Sequence, residues 1–142
     1  MNLSELVGGF FQAQLPVLPV LLPLFTAAAL LLMGDDGGQA NHGGSQLRRR
    51  RLVSLASVIF GALLAWRLML EAASGTLTVY PLGNWPAPFG IVLVVDRLSA
   101  LMLALTWTIA VPVLWYATGG WDAHGRYFHA LFHFQLMGLS GA

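Results

Sequence analysis

The 142-residue chain is 57% hydrophobic and only 9% charged, and its mean hydropathy of +0.71 places it among membrane proteins rather than soluble domains. Its net charge of +1 conceals a cluster, because all seven basic residues are arginines and four of them are consecutive, Arg48–Arg51. Without cysteine, the chain has no disulfide, thiolate metal site or thiol nucleophile.

The first predicted membrane span runs from Leu15 to Met33, close to the roughly 20 residues that a helix needs to cross the hydrocarbon core. It contains Pro16, Pro19 and Pro23, which membrane helices tolerate when neighbouring helices satisfy the freed carbonyl groups. A secretory signal is not favoured, because the residues before the span contain Glu5 and no basic residue.

The segment 34–51 is predicted to be a basic loop inside the cell. Gly34–Gln46 has the composition of a flexible linker, and it matches neither a calcium-binding nor a phosphate-binding loop. Arg48, Arg49, Arg50 and Arg51 follow. Because short basic loops stay in the cytoplasm, these four arginines predict that the N-terminus lies outside. Contact of the arginines with anionic lipids is compatible with that position. Nucleic-acid binding is the less favoured interpretation.

The second predicted span is Leu52–Ala73. Near its end, Arg67 and Glu71 are one helical turn apart and are interpreted as a pair that reaches toward the interface, the alternative being an ion-pathway pair.

The segment 74–95 is predicted to lie outside, since it contains no Lys or Arg. Two runs rich in Val, Thr, Tyr, Ile and Leu, Thr76–Leu82 and Gly90–Val95, predict a short hairpin. Trp85 and Phe89, beside prolines between these runs, suit a rigid loop at the lipid interface.

The third predicted span, 97–117, begins at an Asp-Arg-Leu-Ser sequence. Asp96 is placed to cap the N-terminus of this helix, and Arg97 to reach the outer surface or a neighbouring helix. Pro112 lies inside the span and could kink it.

The chain then returns to the inside through Gly119–Tyr127 and enters an incomplete fourth span, 129–142, which would rise only about 21 Å as a helix. His129 and His133 lie on one face of it; they could bind a metal or relay protons, but are interpreted as interfacial or packing residues, because no third ligand is near. The chain is expected to be truncated within this helix.

Three blocks resemble the D subunit of Mrp-type multi-subunit monovalent cation/proton antiporters. The resemblance covers the chain from about Leu15 to its end. The Asp-x-Leu-Ser helix start also occurs in the related membrane subunits of complex I and of membrane-bound hydrogenases. The three blocks are WPAPFGI at 85–91, DRLSALM at 96–102 and FHFQLMGL at 132–139.

The resemblance implies a bundle of about fourteen helices, of which this chain would supply three and part of a fourth. The glutamate and lysines of the family's proton path would lie beyond Ala142, so no catalytic, cofactor-binding or metal-binding residue carries over. The residues that carry the family pattern are Trp85, Pro86, Pro88, Asp96, Arg97 and Ser99.

The sequence therefore predicts an all-α integral membrane fold, a fragment of an antiporter-like helix bundle with a short external hairpin-like loop. The expected function is that of the N-terminal part of a Na⁺ or K⁺/proton antiporter subunit, inactive alone and not an enzyme. It would lie in the bacterial inner membrane with other subunits of a hetero-oligomer, without cofactor or nucleic acid. The alternatives are a proton-pumping subunit of complex I or a hydrogenase, and a small structural or assembly membrane protein.

Overall fold

The computed structural model describes residues 2–33, 43–75, 77–81, 88, 90, 92–125 and 127–142. Within these residues the chain forms five α-helices, one turn of 3-10 helix and a two-stranded sheet. In chain order the elements are α1 (Leu3–Gln14), α2 (Leu18–Leu32), α3 (Gly43–Ala73), β1 (Thr78–Pro81), β2 (Val92–Val95), α4 (Arg97–Ala117), the 3-10 turn (Trp121–His124) and α5 (Phe128–Gly141).

The first predicted span differs from the structure at its start. Residues 15–17 form a turn, α2 begins only at Leu18, and a separate helix, α1, precedes the turn at an angle of 88° to α2. Pro16 and Pro19 explain the break, because proline has no N–H to donate to the carbonyl group four residues earlier. Pro23 lies inside α2, which continues through it to Leu32.

The predicted basic loop is also shorter than expected. The helix α3 begins at Gly43, nine residues before the predicted start at Leu52, so Arg48–Arg51 lie on its first turns rather than in a loop. Arginine has a high helix propensity, and nothing in this stretch breaks the helix. Residues 34–42 of the predicted linker lie outside the described residues.

The later elements agree with the sequence. The strands β1 and β2 pair antiparallel, with Thr78 opposite Val95 and Pro81 opposite Val92, inside the two runs predicted to form a hairpin. Helix α4 has the bounds predicted for the third span, and α5 covers 128–141. Trp85 and Phe89 of the predicted interfacial loop lie outside the described residues.

The long helices pack side by side. Helix α3 packs along α4, and α2 packs along α5 and α3. The main core contains Val58 and Ala65 of α3, Trp107 and Leu114 of α4, and Leu136 of α5. Gly61 permits a close approach of α3 and α4, because a Cβ atom at this position would collide with the Trp107 ring.

Two helices of the described chain, α3 and α4, are long and apolar enough to cross a membrane, and α1 with α2 would make a third if that bent pair forms one span. The high helix content, the small two-stranded sheet and the apolar surface of the helices fit the predicted all-α membrane fold. The number of spans and their orientation stay predictions.

Candidate functional site

Five polar side chains meet at one end of the bundle. Their surroundings are apolar, so a polar group without a hydrogen-bond partner there would cost free energy. We call them the polar cluster: Arg51, Ser54, Asp122, His129 and His133. Arg51 and Ser54 are three residues apart on α3, and His129 and His133 are four residues apart on α5. Each pair therefore occupies one helix face. The 3-10 turn brings Asp122 between the two helices.

Asp122 is the centre of the polar cluster. Its carboxylate accepts two hydrogen bonds from the Arg51 guanidinium, from Nε to Oδ2 and from Nη2 to Oδ1, both at 2.6 Å. The Asp122 side chain is completely buried, whereas Arg51 keeps 30% of its side chain exposed. Arg51 lowers the pKa of Asp122, outweighing the burial that opposes ionisation. This bidentate ion pair joins the start of α3 to the connection between α4 and α5.

His129 provides the second contact to Asp122. Its Nε2 lies 3.0 Å from Oδ2 of Asp122, and its Nδ1 is buried without a hydrogen-bond partner among the described residues. A cavity of about 30 Å³ lies beside it, lined partly by Asp122, His129, Leu30 and Arg50. That volume holds one or two water molecules. Water in this cavity could therefore reach the polar cluster.

His133 lies one turn further into the bundle and is fully buried. Its Nε2 is 2.9 Å from the Ser54 hydroxyl, and its Nδ1 has no partner in the described part of the chain. One turn after Ser54 on α3, the Ser57 hydroxyl shares a 2.7 Å hydrogen bond with the Thr26 hydroxyl of α2. Polar contacts thus link α3 with both α2 and α5, as hydroxyl and imidazole groups commonly do between membrane helices.

The polar cluster can hold helices together, and its imidazoles can hold a proton, but it does not form a metal site. Among the described residues, no three His, Asp or Glu side chains converge closely enough to bind a metal ion.

At the opposite end of the bundle, near the hairpin, the start of α4 is capped by local contacts. Asp96 Oδ1 accepts from the Ser99 backbone N–H at 2.7 Å, and Ser99 Oγ accepts from the Asp96 N–H at 2.9 Å. This reciprocal arrangement is a capping box at the start of α4. The contacts with Ser99 lower the pKa of Asp96, which favours the ionised form at the positive end of the helix dipole.

Comparisons with known proteins return the D subunits of cation/proton antiporters. The chain is 44% identical over 131 residues to a probable K⁺/H⁺ antiporter D subunit of Rhizobium meliloti and 33% identical over 130 residues to a Na⁺/H⁺ antiporter D subunit of Alkalihalophilus pseudofirmus. The Na⁺/H⁺ antiporter D subunit of Bacillus subtilis is 28% identical over 128 residues. Each match covers 89–90% of this chain. The chain belongs to the family of cation/proton antiporter D subunits.

The chain spans 23–24% of the length of these relatives. No protein-family model matches it. These matches confirm the family resemblance that the sequence motifs predicted. The matches and the apolar helices together identify a multi-pass membrane protein.

The structure places the sequence-predicted residues at both ends of the helix bundle. Arg51 joins the polar cluster, while Arg48 and Arg49 lie on the same first turns of α3. The other predicted group lies at the hairpin end: Asp96 and Ser99 form the capping box, Arg97 and Pro88 are exposed, and Trp85 and Pro86 lie outside the described residues.

Two predicted pairs have clear surroundings. Arg67 Nε and Glu71 Oε1 lie 3.4 Å apart, and 61% and 39% of the two side chains are exposed; that this pair reaches toward the interface stays a prediction. His129 and His133 are buried between helices rather than exposed at an interface.

Sequence reasoning missed Asp122. A signal was available, because Asp122 is the only acidic residue between the third and fourth predicted spans, on the side where the arginine run is expected. A single carboxylate opposite four arginines predicts an ion pair once the two segments are placed at the same end of the bundle.

Proposed function

We propose that this chain forms the N-terminal part of the D subunit of a bacterial antiporter complex that exchanges Na⁺ or K⁺ for protons. The observation that carries the proposal is the similarity along about nine-tenths of the chain to three subunits whose names all state cation/proton antiport. Because the chain spans about a quarter of these relatives, exchange belongs to the assembled complex.

The placement of charge supports an inactive role for the chain alone. Among the described residues, the acidic side chains lie near helix ends: Glu5 in the first turn of α1, Glu71 at the end of α3, Asp96 before α4 and Asp122 after it. Proton transport across a membrane commonly uses connected Asp, Glu and His side chains deep within it, whereas the buried His133 is hydrogen-bonded to Ser54 rather than to a carboxylate. We expect this chain to supply packing surfaces, and the polar cluster to hold the ends of α3, α4 and α5 in place.

The proposed location is the bacterial inner membrane, with the N-terminus and the hairpin outside. Support comes from Arg48–Arg51, which gather positive charge at the end of α3 opposite the hairpin, as expected for the cytoplasmic side. Reporter fusions test this orientation. Green fluorescent protein placed after Met33 should fluoresce, and alkaline phosphatase placed after Gly75 should be active; the reverse pattern would contradict it.

The proposed partners are the other subunits of the complex, the lipid bilayer, protons and monovalent cations. The relatives support this, since each is named as one subunit of an antiporter. Neither the proton-pumping nor the structural alternative has a specific observation in its favour.

A chimaera tests the transport function. In the Rhizobium meliloti relative, the matched segment is replaced by the matched 89% of this chain, and the chimaera is expressed with the remaining subunits in a host that lacks cation/proton antiport. In everted vesicles, a pH-sensitive dye reports whether added K⁺ or Na⁺ dissipates the proton gradient. We expect dissipation at a rate comparable to that of the parent complex.

The control is the same relative with the segment deleted, which should dissipate no gradient. Native gel electrophoresis establishes that the chimaera has assembled with the other subunits. An assembled chimaera that responds to neither cation would contradict the proposal.

A further inference from the structure

The first helix presents an unusually ordered apolar surface. Its large apolar residues follow the i, i+3, i+4, i+7, i+8 spacing of an amphipathic helix, whereas Glu5 and Gln12 lie on the opposite face. The apolar residues are 47–79% exposed, and α1 has no buried residue. They are Leu3, Leu6, Val7, Phe10 and Phe11. Such a surface requires an apolar environment.

The direction of α1 limits what that environment is. Because α1 meets α2 at 88°, α1 lies parallel to the membrane plane when α2 runs across it. The helix has no Lys or Arg, so attraction to anionic head groups does not place it.

Helix length sets the depth of α1. The 15 residues of α2 rise about 22 Å, roughly 8 Å short of the hydrocarbon core, whereas the 21 residues of α4 rise about 31 Å and match it. At its other end, α2 reaches the cavity beside Asp122 through Leu30 and Leu31, near the end of α4. The start of α2 therefore lies below the membrane surface on the hairpin side.

Contacts between helices also place the start of α2 below the level at which α4 begins. Trp107, the eleventh residue of α4, donates from Nε1 to Ser140 Oγ at 3.0 Å, which places the end of α5 level with the middle region of α4. A Cβ on the next residue, Gly141, would lie 3.7 Å from Val20 near the start of α2.

The end of α1 also has a fixed neighbour on the hairpin side. The Tyr80 hydroxyl of β1 donates to Gln14 Oε1 at 2.6 Å. Tyr80 lies opposite Leu93 of β2, and β2 leads directly into α4, so this contact ties the end of α1 to the hairpin. Together with the level of Val20, this contact places α1 on the hairpin side, below the level at which α4 begins.

We propose that α1 is an interfacial helix on the hairpin side of the membrane, with Leu6 and Phe10 against lipid acyl chains and Glu5 and Gln12 toward the head groups. Interfacial helices bury their apolar faces about 5–10 Å below the head groups, which matches the length deficit of α2. The proposal rests on the chain being inserted in a membrane, and neither on ion exchange nor on which side faces the cell exterior.

The absence of cysteine allows a direct test, because any introduced cysteine is unique. Single variants Leu6→Cys, Phe10→Cys, Glu5→Cys and Gln12→Cys are spin-labelled in the full chain, which is reconstituted into phosphatidylcholine vesicles. Electron paramagnetic resonance then compares the collision of each label with oxygen, which concentrates in lipid, and with a water-soluble nickel chelate. Ile109→Cys on the exposed surface of α4 provides a deep reference, and Ala123→Cys an aqueous one.

We expect the labels at positions 6 and 10 to favour oxygen, at a depth shallower than that of position 109, and those at positions 5 and 12 to favour the nickel chelate. With the label at position 109 deep in lipid, three results would overturn the proposal. Both faces open to the chelate would mean a helix in water. Both faces deep in lipid would mean a broken span, and both faces shielded from both reagents would mean a surface covered by protein.

Discussion

Asp96 and Asp122 both have a lowered pKa, but the contacts that stabilise their charge are arranged differently. Asp96 is exposed and takes its partner, Ser99, from three residues along the same chain segment. Asp122 is buried and takes its main partner, Arg51, from 71 residues away. The charge of Asp96 is therefore stabilised by local capping, whereas the charge of Asp122 is stabilised by contacts that exist only after the helices assemble.

Replacing Asp122 should show the largest difference in stability between the two ends of the bundle. We expect Asp122→Ala to reduce the free energy of unfolding by about 3 kcal/mol, at the low end for a broken buried ion pair because Arg51 remains 30% exposed. Asp96→Ala removes an exposed cap and should cost less. Both are measured by unfolding of the detergent-solubilised chain, followed by tryptophan fluorescence.

The double variant Asp122→Ala with Arg51→Met provides the control, since it removes both charges of the pair. Its stability should exceed that of Asp122→Ala alone. Equal losses for Asp122→Ala and Asp96→Ala would mean that the buried ion pair adds nothing beyond a local cap.

The same division explains what the sequence could predict. The bounds of α4, the Asp96 cap and the hairpin strands depend on neighbouring residues and follow from local rules. Helix α1, the break at Pro16 and the pairing of Asp122 were not predicted. The break required a choice between tolerated and helix-breaking prolines, which depends on packing, and the ion pair required knowing which helix ends lie together.

A substitution at Gly61 tests the apolar packing of α3 against α4. This packing lies between the two ends of the bundle. We expect Gly61→Ala to lower the free energy of unfolding by about 2 kcal/mol, because its Cβ would collide with the Trp107 ring and force α3 and α4 apart. Gly138→Ala on α5 is the matched control, since no atom lies within 4 Å of its added Cβ. A loss of equal size at both positions would indicate a general effect of replacing glycine rather than a close helix contact.

Substitutions at Ser54 and His133 test whether the polar contacts at the arginine end stabilise the helices further into the membrane. We expect Ser54→Ala and His133→Leu each to cost about 1 kcal/mol, the usual size of a polar contact between membrane helices. The double variant should cost less than the sum, because it leaves no unpaired partner. Strictly additive losses would show that the two side chains do not stabilise each other.

Acid should weaken the two ends by different amounts, and we expect this effect to be the smallest, because a protonated Asp122 can still accept hydrogen bonds from Arg51. A lowered pKa means that the carboxylate contributes stability above its ordinary pKa of about 3.9 and loses it as the pH falls through the lower folded value. Melting temperatures of the wild type should therefore fall as the pH drops below about 4.

Asp122→Asn should remove more of this acid-dependent loss than Asp96→Asn, because Asp122 contacts two basic side chains and Asp96 contacts none in its cap. The comparison is made on the difference in melting temperature between neutral and acidic buffer, which cancels the neutral-pH cost of each substitution. If Asp96→Asn removes the larger share, the local cap rather than the polar cluster sets the acid sensitivity of the bundle.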